Sequence, residues 1–139
     1  WYVESVQAAA KDDPRIRFLG GIYDQELLEQ LYGNAVTYVH GHSVGGTNPS
    51  LLRAMGAGAP VLGYDVEFNR EVTDGAALFW SGAEELTVLL DAIATGSREA
   101  ELAAYRDAGR ARVGAVYQWE SVTDQYEALI ARLAASRRR

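Results

Sequence analysis

Gly45-Gly46-Thr47-Asn48-Pro49-Ser50 is the stretch whose residue types and order could do chemistry. Two glycines free the backbone for a tight turn. Asn48 is a favoured N-cap, and Pro49 suits the first helical position, where an absent N–H loses no bond. A helix that starts straight after such a turn presents free N–H groups and the positive end of its dipole, a combination that binds phosphate. The expected cradle is the backbone N–H groups of Gly46 to Ser50, with the Thr47 and Ser50 hydroxyls as further donors. Many α/β chains use the same turn only to change direction, so on spacing alone the two readings stand level. His40 and His42 invite a metal reading, but two imidazoles two residues apart without a third ligand nearby do not make a site. No metal and no cofactor are expected.

The elements that must hold this turn are legible on both sides of it. Ala35-Val36-Thr37-Tyr38-Val39 is a short β-branched run that fits a buried strand. Leu51, Leu52 and Met55 give the helix an apolar face, Gly56 and Gly58 can end it, and Pro60 leads into a strand over Val61-Leu62-Gly63-Tyr64. Asp65 then lies where that strand meets the ligand edge. Upstream, residues 1–10 read as an amphipathic helix end and Ile16-Arg17-Phe18-Leu19 as a strand. Gly20-Gly21 is the turn after it, and Asp24 caps a helix to about Tyr32. Downstream, Asn69–Thr73 reads as one helical turn, 76–80 as a strand, and 83–94, 98–116 and 121–135 as helices. Strands alternating with helices, with no hairpin signal, predict a three-layer α/β fold around a parallel sheet.

Composition narrows the class. At 139 residues, 48% of them hydrophobic, the chain can bury one ordinary core and reads as a single domain over 1–139. A net charge of −6, with no basic stripe beside the aromatics, excludes a nucleic-acid binder. The absence of cysteine excludes disulfides, zinc-thiolate sites and thiol nucleophiles. Nothing reads as a signal peptide or a membrane-spanning run, so a cytoplasmic protein is expected. Arg137-Arg138-Arg139, after Arg132, reads as a solvated tail that suits the negative end of a helix; the alternative is attraction to anionic lipid at the inner membrane face.

His40-Gly41-His42-Ser43-Val44-Gly45-Gly46-Thr47-Asn48-Pro49-Ser50-Leu51-Leu52, followed by Ala54-Met55, resembles the donor-binding core of family 4 glycosyltransferases. These are retaining enzymes of the GT-B type, built from two facing Rossmann-like halves. The resemblance is greatest to their bacterial rhamnosyltransferase-like branch. It extends to Arg15–Gly20, Asp24–Tyr32 and Phe68–Val72, and fades at Trp119-Glu120.

Each site role below is what this resemblance implies. His42, Ser43, Gly45, Gly46, Thr47, Asn48, Pro49 and Ser50 would face the donor diphosphate and sugar, with strand-end capping the alternative for the histidines. Asn69, Arg70 and Glu71 would reach the same sugar and diphosphate, a surface Arg70–Glu71 pair being the alternative. Glu67-Phe68-Asn69-Arg70 stands where the wider family often has paired glycines, a variation the rhamnosyltransferase-like branch shares. Gly21, Ile22 and Tyr23 would lie against the nucleotide base, with core packing the other reading for Tyr23. The family's two glutamates for sugar and ribose are absent: Gly45 and Arg53 stand in their places. Arg53 could donate to ribose oxygens or phosphate, or simply face solvent.

A half of this kind opens with a strand, a helix and a second strand, yet the sequence starts at Trp1 in a later helix. The expectation is the carboxyl-terminal half of a larger enzyme, with the acceptor-binding half and a charge-sharing basic residue upstream. A truncated sheet edge would then invite self-association. The expected activity is transfer of a sugar, rhamnose or another hexose, from a nucleotide-diphosphate sugar to a glycan or lipid-linked acceptor in polysaccharide synthesis. This stretch alone is expected to be inactive. Two competing readings are a nucleotide-sugar epimerase using Asp65 with His42, and a non-catalytic nucleotide-sugar binder.

Overall fold

Three short runs pair side by side in parallel in the computed structural model, which describes residues 1–136. The strands are β1 (Tyr38–His40), β2 (Val61–Tyr64) and β3 (Ala77–Trp80), in that spatial order. Tyr38 stands opposite Val61, and Val61 opposite Ala77. Parallel neighbours need crossovers, and two helices supply them: α3 (Pro49–Ala57) between β1 and β2, and α4 (Glu67–Thr73) between β2 and β3. α1 (Tyr2–Ala10) and α2 (Gln25–Gly33) precede the sheet, while α5 (Ala83–Ala94), α6 (Glu99–Val116) and α7 (Trp119–Ser136) follow it. The fold is mixed α/β, and its parallel sheet is compatible with a Rossmann-like domain.

The core lies between α3 and the sheet. Leu51, Met55, Val61, Val72, Ala76 and Ala77 form one buried cluster, with Tyr38, Leu52, Phe79, Val113 and Tyr117 packed against it. α3 presents Leu51, Ala54 and Met55 at i, i+3 and i+4, which puts all three on one face. Gly58 ends α3 in the left-handed conformation at φ 86°, and its bare Cα lets the Arg110 guanidinium of α6 close over it. Arg110 then donates to Ala57 O at 3.1 Å, which satisfies a helix-end carbonyl.

The helices expected at 83–94, 98–116 and 121–135 form with ends within two residues of those bounds. Three expectations are corrected. Ile16–Leu19 is not a strand: it has no ladder partner, and Ile16, Phe18 and Leu19 are 48%, 49% and 62% exposed. A β-branched, aromatic run forms a strand only where a neighbour offers hydrogen bonds, and the described sheet ends at β1. β1 itself is shorter than the expected 35–39, because Ala35 N still closes the end of α2 on Tyr32 O and pairing starts where Tyr38 N meets Pro60 O. The single turn expected over Asn69–Thr73 is a seven-residue helix starting at Glu67. Arg137-Arg138-Arg139, with the lipid reading attached to it, lies outside the described residues. Among the described residues no helix is long and apolar enough to cross a membrane.

Candidate functional site

β1 delivers the chain to His40, and the loop over 41–47 carries it across the carboxyl edge of the sheet into α3. Gly45 takes φ 130°, a region that side chains rarely adopt. No atom lies within 4 Å of where a Cβ would stand on Gly45 or Gly46, so the turn is open to a ligand. Asn48 caps α3 as its residue type requires: Oδ1 accepts from Ser50 N at 2.9 Å and Leu51 N at 3.4 Å. That bond narrows the cradle expected over Gly46 to Ser50. Ser50 N–H is committed to the cap, and Pro49 has none. The N–H groups of Gly46, Thr47 and Asn48 find no acceptor among the described residues and remain for a ligand.

The loop is anchored from below. Asn69 is fully buried, and its Nδ2 donates to His42 O at 3.0 Å and Tyr64 O at 2.9 Å. Its Oδ1 has no partner among the described residues. Asn69 therefore does not reach outward to a sugar, as expected; it is turned inward and ties the loop to the end of β2. Gly41 lies against the Trp80 ring, and Trp80 in turn donates to Leu62 O at 3.1 Å.

His40 and His42 stack at 4.8 Å between ring centroids, nearly parallel at 13°. His40 is buried, with Nδ1 3.3 Å from Tyr38 Oη and Nε2 unpartnered among the described residues. Burial, and then His42 beside it, push the His40 pKa down, which favours the neutral ring. Burial and the neighbouring Tyr32 push the Tyr38 hydroxyl up to about 12. His42 is exposed at the loop surface.

Arg70 does not pair with Glu71. It grips Asp65 through two bonds, Nε to Oδ1 at 2.5 Å and Nη2 to Oδ2 at 2.7 Å, and lies 4.4 Å over the Phe79 ring. The same hydrogen bond holds the Asp65 carboxyl below its ordinary range, which makes it a weak base. Glu71 is exposed; its carboxylate has no partner among the described residues, and its carbonyl accepts from Arg112 Nη2 at 3.2 Å.

On the other flank, Tyr23 is 90% exposed, which overturns core packing as its role. Its ring folds back over Gly21, where a side chain would meet it at 3.0 Å. Ile22 beside it is half-buried. Arg53 is exposed, and its Nη1 donates to Gln25 Oε1 at 2.6 Å, tying α3 to the first turn of α2. One feature escaped the sequence reading. A groove of about 1080 Å³ opens beside Thr47, Pro49 and Arg53 and runs between α2 and α3 to Tyr117, Gln118 and Trp119 at the α6–α7 corner. Its residues come from four elements, and no local motif announces them.

No protein-family model and no solved structure matches the chain. In an alignment of 130 positions that covers 87% of the chain, it is 27% identical to a protein of Limosilactobacillus reuteri subsp. suis. That relative is named "UDP-N-acetylglucosamine--peptide N-acetylglucosaminyltransferase GtfA subunit". The chain spans 24% of its length.

Proposed function

We propose that this chain is the donor-binding part of a glycosyltransferase that uses a nucleotide-diphosphate sugar. The observation that carries the reading is the start of α3: three N–H groups, of Gly46, Thr47 and Asn48, without acceptors among the described residues, stand at the carboxyl edge of a parallel sheet. The similarity to a protein named as a glycosyltransferase supports it. In such a reaction the leaving diphosphate gains charge, and preorganised N–H donors stabilise that charge more in the transition state than in the ground state. Thr47 Oγ1 adds a donor, His42 and Ser43 flank the sugar, and Arg53 and the Gly21-Ile22-Tyr23 loop face ribose and base. Neither metal nor cofactor takes part in this half of the site.

Within this proposal the finer assignments rest on the motif from His40 to Met55. They are family 4 and its rhamnosyltransferase-like branch, retention of configuration, a deoxyhexose or hexose donor and a role in polysaccharide assembly in the cytoplasm or at the inner membrane face. Acceptor alignment and exclusion of water belong to a facing half of the GT-B arrangement, effects worth several kcal/mol of barrier. The epimerase reading weakens because its proposed base, Asp65, is held by Arg70. The non-catalytic binder is favoured by one observation: Arg53 occupies an acidic family position and is bonded to Gln25.

Product analysis separates the readings. Incubation of the full-length enzyme with sugar nucleotide and acceptor gives a glycoside with retained configuration, while the 139-residue chain alone gives none. An epimerised donor supports the second reading, and no product with intact nucleotide binding supports the third.

A further inference from the structure

The groove between α2, α3 and the α6–α7 corner is built from two kinds of surface. Its floor is apolar: Leu52, Val113 and Val122, beside the bare Gly56. Around it stand polar groups without protein partners among the described residues: the Glu29 carboxylate, the Gln30 amide nitrogen, the Thr47 hydroxyl and the Trp119 indole N–H. Trp119 is 82% exposed at the first turn of α7, so its ring is presented to solvent and not used in the core.

The charges on the walls are one carboxylate, Glu29, and one guanidinium, Arg53, already bonded to Gln25. An anionic ligand would therefore find no uncommitted cation there. A purely apolar ligand would cover the carboxylate and amide and leave them unpaired, which opposes its binding. A ligand with an apolar face and a ring of hydroxyls satisfies both surfaces: its C–H face covers the indole, and its hydroxyls bond the carboxylate and amide. At about 1080 Å³ the groove has room for more than one sugar ring.

We infer that this groove is a binding site for a neutral oligosaccharide, with Trp119 as its platform and Glu29 and Gln30 as its main hydrogen-bonding groups. The inference rests on the transferase reading only for the ligand's role as a glycan held beside the donor site, outside the acceptor seat that the facing half supplies. The sugar chemistry follows from the groove itself. Because Thr47 and Pro49 line both the groove and the α3 turn, a glycan seated here lies adjacent to the donor cradle.

The test is a titration of isotopically labelled protein with two panels, neutral oligosaccharides and nucleoside diphosphates, followed through the indole N–H signal of Trp119. Three tryptophans are present, and Trp119→Phe assigns the signal. The expected result is saturable movement of the Trp119 signal by at least one neutral oligosaccharide. Followed through the backbone amide signals of the groove, which both variants keep, Trp119→Ala and Glu29→Ala each weaken that binding about tenfold or more, with nucleotide affinity unchanged and the circular dichroism of wild type. If no oligosaccharide moves the Trp119 signal, or if both variants bind it as wild type does, the inference is overturned. Movement of Trp119 by nucleotides alone overturns it too, and makes the groove a seat for the base. Oligosaccharide binding without nucleotide binding leaves the groove assigned and defeats the donor-binding proposal instead.

Discussion

Asn69 and His40 carry the two residue-scale consequences of the loop that ends β1. Asn69 holds the carbonyls of His42 and Tyr64 together, so Asn69→Ala leaves both without that donor. The expected loss is about 1–3 kcal/mol, read as a lower urea midpoint at unchanged m-value. His40 bears on pH. Burial and His42 depress its pKa in the folded chain, whereas the unfolded chain takes up a proton near about pH 6.5. Below that pH the unfolded state holds more protons, so stability falls as pH drops toward and through the folded value, and above it the contribution is constant. The urea midpoint therefore declines from pH 7 to 5, and His40→Gln flattens that decline; an equal slope in both proteins contradicts the account. Neither role was legible in the sequence. Asn69 stands in the polar run Glu67-Phe68-Asn69-Arg70, which reads as a surface, and its burial arises only when α4 packs beneath the loop. Arg70 shows the same limit: by sequence it would reach the donor or, alternatively, pair with its neighbour Glu71, yet Asp65 at the end of β2 captures it.

At the scale of elements, α3 was readable because every signal in it agrees. Asn48, Pro49, the Leu51–Met55 face and Gly58 specify a start, a buried side and a stop, and the helix runs from Pro49 to Ala57. Asn48→Ala removes the cap from Ser50 N and Leu51 N and is expected to cost about 0.5–2 kcal/mol. A thermal midpoint within error of wild type would contradict that role. The run at Ile16–Leu19 was misread for the opposite reason. Its residue types favour a strand, but pairing is a tertiary event, and β1 bonds only to β2 among the described residues. Local composition fixes a helix with its own caps better than it fixes a strand whose partner lies elsewhere.

For the whole molecule, the parallel order of the sheet puts the α3 turn, the Asp65–Arg70 pair and the α4 anchor at one edge, and the groove beside them on the helical layer. The glycine turn and its cap were visible in the sequence. The groove was not, because the Glu29-Gln30 pair, Arg53 and Trp119 are far apart along the chain and only packing unites them. The relative it resembles is about four times as long, so the chain holds one part of a larger catalytic arrangement in the proposed function. The central claim is that the start of α3 binds the donor diphosphate, and backbone amide signals report on it directly. Titration with a panel of nucleoside diphosphates should give saturable binding with the largest shifts at Gly46, Thr47 and Asn48. Gly46→Val should remain folded, since open space surrounds that position, and should weaken binding about tenfold or more. Absence of binding by any nucleotide, saturable binding that leaves those three amides unmoved, or wild-type affinity in Gly46→Val would contradict the account.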